Sequence, residues 1–481
     1  MFLWKTLTRA FARSSGSARA RRLRLTLGRR SPVMLSVEEL EQRCLLAVTS
    51  SVVGGVLTAS SNAGDNIAIT ASGGNVQVNG ADPNSGAAAA SSIAKIVIHG
   101  GPQSNTIDLT GVDLGTFTAL TMVNVTEGGG GNNIVKVGVD GIAATETIDA
   151  GAGPNNAIRF TTSGIISFVT QISEGTPATV YTFSRKQFVG QLSVTNEEFS
   201  VLDLPLVDLI INYGPSTDPR IIGDDATPND GFSSSFDPIT GQRITFRNPI
   251  SELALNGNNA SDNHLILHGL DTAGPPQLIL LNGGAGNDTL TADFSTGAAA
   301  SIFTSINGNG GNDQIDVSHG GLARLQVMGG TGDDTIKVHD MEANSITVDG
   351  GDGNDNITVY NVGTSSLLVM GGIGNDTVVI HDVGATSILV NGATGNNNIT
   401  VYNVGFNTMT INGGAGNDTV DIHNVGGSVL NVNGGDGNDV VTIRNAGFGS
   451  LDLDGGNGTD TLNLDFSTVG FNSLSKTNFE N

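Results

Sequence analysis

Towards the C-terminal end of this chain a glycine-rich turn closing on Asn-Asp, or a near variant, returns at a fixed interval. Its last residue falls at Asp288, Asp313, Asp334, Asp355, Asp376, Asn397, Asp418, Asp439 and Asp460. The first interval is 25 residues and the seven that follow are 21. Self-similarity at such a period is the signature of a solenoid, in which each repeat packs only on its neighbours. The interval therefore constrains the fold before any local feature is read.

One period shows what is repeated. After Asp355, Ile357 and Val359 alternate with Asn356, Thr358 and Tyr360, the pattern of a half-buried strand. The segment 361–366 reads as a bend, Leu367 and Val369 resume the alternation, and the glycine turn closes the coil at Asp376. The expected fold is all-β: a parallel β-helix or β-roll with about 21 residues per coil and two strands per coil. Three apolar columns mark its inner face. They run through Ile336, Ile357, Val378, Ile399, Val420, Val441 and Leu462; through Val338, Val359, Ile380, Val401, Ile422, Ile443 and Leu464; and through Val348, Val369, Val390, Ile411, Val432 and Leu453.

Four regions are expected: a basic leader, 1–47; irregular solenoid coils, 48–156; an insertion or small β subdomain, 157–250, where the repeat is lost; and the regular solenoid, 251–481. Residues 1–46 carry ten Lys/Arg against three Glu, leaving 12 basic and 43 acidic side chains for the rest. A body so acidic repels phosphate, which argues against a nucleic-acid partner. The single cysteine, Cys44, excludes an intrachain disulfide framework. No apolar run reaches the ~20 residues of a membrane-spanning helix.

The glycine turn is the candidate for chemistry. Gly350, Gly353 and Asp355, Gly371, Gly374 and Asp376, Gly413, Gly416 and Asp418, and Gly434, Gly437 and Asp439 fit Gly-Gly-x-Gly-x-Asp followed by an apolar strand. Glycines at positive φ turn backbone carbonyls toward a common point, and calcium takes about six to eight oxygen ligands. The pattern resembles the hemolysin-type (RTX) calcium-binding repeats, and the resemblance implies several Ca²⁺ ions between stacked turns. The ligating column would be Asp288, Asp313, Asp334, Asp355, Asp376, Asp418, Asp439 and Asp460. That family has nine-residue repeats with a motif on both edges. Here one edge carries it, so a single metal column is expected, weakened on both sides of Asn397. The competing reading is that glycine and Asn/Asp simply make tight corners.

Two further columns lie along the coils. Asp340, Asn361, Asp382, Asn403, Asn424 and Asn445 read as a structural ladder at the opposite bend. His339, Tyr360, His381, Tyr402 and His423, followed by Arg444, face outward. Successive histidines are two coils apart, about 9.6 Å at the strand spacing, too far to share a zinc ion. A solvated face is expected, with a stacking platform for a flat sugar as the alternative.

Within residues 36–47, Leu40, Glu41, Arg43, Leu45, Leu46 and Ala47 follow an Arg-rich stretch. They resemble the short N-terminal motif of planctomycete extracellular proteins, which implies export. The combined expectation is an exported, non-catalytic calcium-binding solenoid at the cell surface or in the matrix, with calcium and surface polysaccharide or proteins as partners. A metal-free spacer or adhesin is the alternative, and a polysaccharide-active enzyme is the lesser one. A cleft in such an enzyme would draw on Asp203, Asp208, Asp224, Asp225 and Asp230.

Overall fold

The computed structural model describes residues 48–480, apart from 128–132, 139–144, 150–156, 162–168, 174–178, 186–187, 196–198, 204–207, 215–217, 240–241, 260 and 296–301. The basic leader and its export-like motif lie outside the described residues.

From Val48 onward the chain winds as a parallel β-solenoid, and a 3-10 turn at Ala90–Ser92 is its only helical element among the described residues. Thr335, Asn356, Thr377, Asn398, Thr419, Val440 and Thr461 stand in one line of register. The sequence period is thus the pairing register itself. The three apolar columns point inward as their alternation predicts. Val338, Val359, Ile380, Val401, Ile422 and Ile443 have no exposed surface at all. An isolated coil would leave this stripe in water, so stability comes from stacking.

The bend read at 361–366 is more ordered than its composition suggests. Asn356–Ile373 pairs with the next coil along almost its whole length, interrupted only at Asn361, Ser365 and Gly371. Within the bend, Met341, Val362, Val383, Val404 and Val425 form a further buried column. The corner before each comes from a backbone in the left-handed region, with φ of 52° at Asp340, 51° at Asn361 and 54° at Asp382. Asn and Asp tolerate that region better than other residues bearing a Cβ. The Asp/Asn column therefore exists first to turn the chain.

Strands within residues 157–250 pair in parallel with the coils before them and with one another. Val135, Ile158, Ser200 and Ile244 align through parallel pairings. Ala157 pairs with Phe199 and Phe199 with Arg243, so these coils are about twice the regular length. The extra chain is spent on antiparallel excursions. One is built from Val169–Ser173, Thr179–Arg185 and Phe188–Thr195, the other from Pro219–Asp224, Phe232–Phe236 and Arg243–Arg247. Parallel pairing needs alternation but not a fixed coil length, which is why the period vanished from the sequence while the solenoid did not.

Substituting Val401→Asp places an unpaired carboxylate among fully buried neighbours, at a cost of at least about 2 kcal/mol. Urea unfolding should show a clear loss, whereas Thr400→Asp, on the outward face of the same strand, should change little.

Candidate functional site at the glycine turns

Each regular coil closes with a turn whose first and fourth positions leave no room for a side chain. Gly353 has φ of 140°, and a Cβ added there would fall 1.9 Å from the Gly332 carbonyl oxygen of the preceding coil. A Cβ on Gly350 would fall 2.3 Å from Asp355 Oδ2 and 2.5 Å from the Gly371 carbonyl oxygen. The first glycine of the turn thus makes room for a carboxylate of its own coil and a carbonyl of the next.

The aspartates that end these turns point into the solenoid. Asp288, Asp313, Asp334, Asp355, Asp376, Asp418, Asp439 and Asp460 are all 1–2% exposed. They lie two residues before the first inward apolar residue, and alternation carries both to the same side. Within the column the backbone N–H of one coil donates to the Oδ1 of the next. The distances are 2.7 Å from Asp313 to Asp334, 2.8 Å from Asp334 to Asp355 and 2.9 Å from Asp355 to Asp376. Asn397 takes its place without a gap: it accepts from Asp376 N–H at 3.0 Å, and its own N–H donates to Asp418 Oδ1 at 2.7 Å. At the last turn Glu480 supplies the carboxylate for Asp460 N–H.

The other carboxylate oxygen has no such partner. Oδ2 of all eight aspartates is enclosed and accepts no hydrogen bond. Its neighbour is an acceptor as well, since Asp334 Oδ2 and the Gly350 carbonyl oxygen lie 2.3 and 2.4 Å from the same point above Gly329. Enclosure disfavours the charged form. Burial pushes the carboxyls of Asp313 and Asp334 up to about 7, and those of Asp355 and Asp439 up to about 6. It also raises Asp288, Asp376 and Asp418.

These residues fit a cation in one respect: each coil offers an orphaned anionic oxygen beside a carbonyl. They limit it in another. Among the described residues no three His, Cys, Asp or Glu side chains gather to hold a metal, so carbonyls would have to complete any coordination. Gly350, Gly353, Gly371, Gly374, Gly413, Gly416, Gly434 and Gly437 bring such carbonyls to the turn rather than side chains.

A second rail runs beside the aspartates, one residue earlier, and the repeat motif contained it as the Asn of Asn-Asp. It is exposed, and its bonds run in the opposite sense. Asn354 N–H donates to Asp333 Oδ1 at 2.7 Å, Asn375 N–H to Asn354 Oδ1 at 2.9 Å and Asn396 N–H to Asn375 Oδ1 at 2.7 Å. Reading only the final aspartate of each turn hid it.

The ring column is neither a loose solvated face nor a stacking platform. His339, Tyr360, His381, Tyr402 and His423 stack face to face, with centroids 4.7, 5.0, 4.7 and 5.2 Å apart and planes within 8°. Between neighbours the ring faces are covered by each other, and the edges remain. His339 Nδ1 lies 2.7 Å from Asp340 Oδ2 and its Nε2 2.9 Å from Asp316 Oδ1. Bonds from His339 and then Asn361 hold the Asp340 carboxyl below its usual range, and His381 and Asn403 do the same for Asp382.

Of the acidic residues considered for a cleft, Asp224, Asp225 and Asp230 gather near Asp271. The Asp271 carboxylate, however, accepts from the N–H groups of Asp230, Gly231 and Ala273. It holds a loop together. Asp208 is elsewhere, in register with Glu252 on the sheet.

In comparison with known proteins, the chain matches no family model and no curated sequence. Among the described residues, no helix is long and apolar enough to cross a membrane.

Two outcomes follow from the turn. Gly353→Ala should be destabilising by at least about 1–3 kcal/mol, measured by urea unfolding, because both its φ and the Gly332 carbonyl oppose a Cβ. For pH, the raised ladder carboxyls titrate higher folded than unfolded. Their stabilisation is complete below the ordinary aspartate value and is lost as pH rises through 6 to 7. In metal-free buffer, calorimetry should therefore give a higher Tm at pH 5 than at pH 8. A Tm that falls between pH 8 and pH 5 would contradict the geometry.

Proposed function

We propose that the chain is an exported, non-catalytic β-solenoid that binds calcium along its glycine-turn edge and serves as a surface or matrix component. The observation that carries the metal is the column of eight enclosed Oδ2 atoms, each beside a carbonyl and none with a donor. Buried polar groups without partners are costly, and a row of them on one edge asks for a positive charge. Asp288, Asp313, Asp334, Asp355, Asp376, Asp418, Asp439 and Asp460 would hold the ions with the neighbouring carbonyls. Bound calcium would supply the charge that neutralises the ladder, coupling ion binding to the stability of the coils.

The non-catalytic reading is supported by where the acidic groups sit. The ladder aspartates follow the repeat, and each Oδ1 is spent on a backbone N–H of the preceding coil, as at Asp334, Asp355 and Asp376. Export is supported by the residues 40–47 that resemble the planctomycete motif.

Thermal melting of the full chain at pH 7.5, with calcium or with EDTA, tests the metal. At a free ion concentration about 100 times the Kd, one site adds about 2.7 kcal/mol, so calcium should raise Tm clearly. Superimposable curves in calcium and EDTA would overturn the calcium reading and leave a metal-free spacer held by its ladders.

A further inference from the structure

Not every coil closes on aspartate, and the exceptions show what the turn requires. At Asn397 the side-chain Nδ2 donates to the carbonyl oxygens of Gly395, at 3.2 Å, and Gly413, at 3.4 Å. Gly413 is the first glycine of the following turn, the counterpart of Gly350 beside Asp334. Asn263 occupies the equivalent place at the start of the regular region. Its Nδ2 donates to the carbonyl oxygens of Asn258 at 2.9 Å, Ser261 at 2.8 Å and Gly283 at 3.0 Å. In the irregular N-terminal coils, Asn105 Nδ2 donates to the Gly101 carbonyl oxygen at 2.9 Å. Asn105 also keeps the ladder going, accepting from Asp65 N–H at 3.2 Å. Asn105, Asn263 and Asn397 are 2–4% exposed, as enclosed as the aspartates.

Asn and Asp have nearly the same shape. Where the side chain is an amide, the inner position carries an N–H donor aimed at carbonyls. Where it is a carboxylate, the same position holds Oδ2, enclosed near the equivalent carbonyl and accepting no hydrogen bond.

We infer that each turn is a carbonyl cradle requiring a positively polarised occupant, and that Asn105, Asn263 and Asn397 build that occupant into the chain. The aspartate coils must take it from solution, as a cation. Asn397 is then not a defect that weakens its neighbours. It is a coil that needs no ion, set among coils that do. This deepens the calcium reading by naming which coils depend on an ion and which do not, but its central measurement does not require that calcium bind.

The test uses the full chain and two opposite substitutions, melted in EDTA at pH 8. Asp355→Asn supplies an amide donor to a cradle that lacks one, and Tm should rise by a few degrees. Asn397→Asp removes a donor, and Tm should fall. If Asp355→Asn lowers Tm or leaves it unchanged, the inference is wrong. It is equally wrong if Asn397→Asp melts as the parent does.

A further arm identifies the source of the positive charge. Calcium at pH 8 should restore Asn397→Asp, with one more ion bound per chain by equilibrium dialysis. If the two substitutions shift Tm as expected but calcium restores nothing, the cradle is upheld and the calcium reading falls.

Discussion

A backbone N–H that cannot be satisfied within its own coil is the constraint on which the regular solenoid rests. At the end of each glycine turn the chain enters its first inward strand, and the amide of the Asp or Asn there faces the coil that follows. A side-chain oxygen of that coil receives it. Because the bond recurs at one position per coil, it locks the register of the turn to the register of both strands. A slip by one residue would turn the apolar columns outward and leave the whole row of amides without acceptors. Aliphatic burial supplies most of the driving force for stacking, and the turn ladder makes one stacking right.

Between the regular coils the acceptor is a short, inward-pointing Asp or Asn side chain. Either serves the first task, since both carry an Oδ1 in the same place. They differ in the atom left over, and the fold repeats that difference along one edge. Aspartate puts an anionic oxygen beside a carbonyl, and asparagine puts a donor there. A solenoid built entirely on asparagine would be satisfied internally. One built mainly on aspartate has its stability tied to the surrounding solution, through protons at least.

Much of this was legible in the sequence. The 21-residue interval specified parallel stacking, and parity along the strand specified which aliphatic residues turn inward. The same parity placed Asp355 on the side of Ile357, so the inward aim of the ladder was present in the alternation. Reading the turn as a metal-ligand motif drew attention from it. The Val362 column was hidden because Asn, Gly and Ser around it read as a bend, whereas parallel neighbours let even a bend pair. The stacking of His339 through His423 was half visible, since alternation of His and Tyr at one position is readable. The carboxylates that bond the ring edges, Asp316 and Asp340 at His339 and Asp382 at His381, come into reach in the folded stack. Residues 157–250 were illegible for a different reason: hairpin excursions changed the coil length, and a constant interval cannot reveal a solenoid whose coils do not keep it.

The ladder also has a direction. Each aspartate amide is answered by the coil on its C-terminal side, and each amide of the Asn rail by the coil on its N-terminal side. Every boundary between these coils is therefore crossed by one turn amide from each side. Parting two coils anywhere along this stretch strands a donor on both faces of the break, so neither face is the satisfied one.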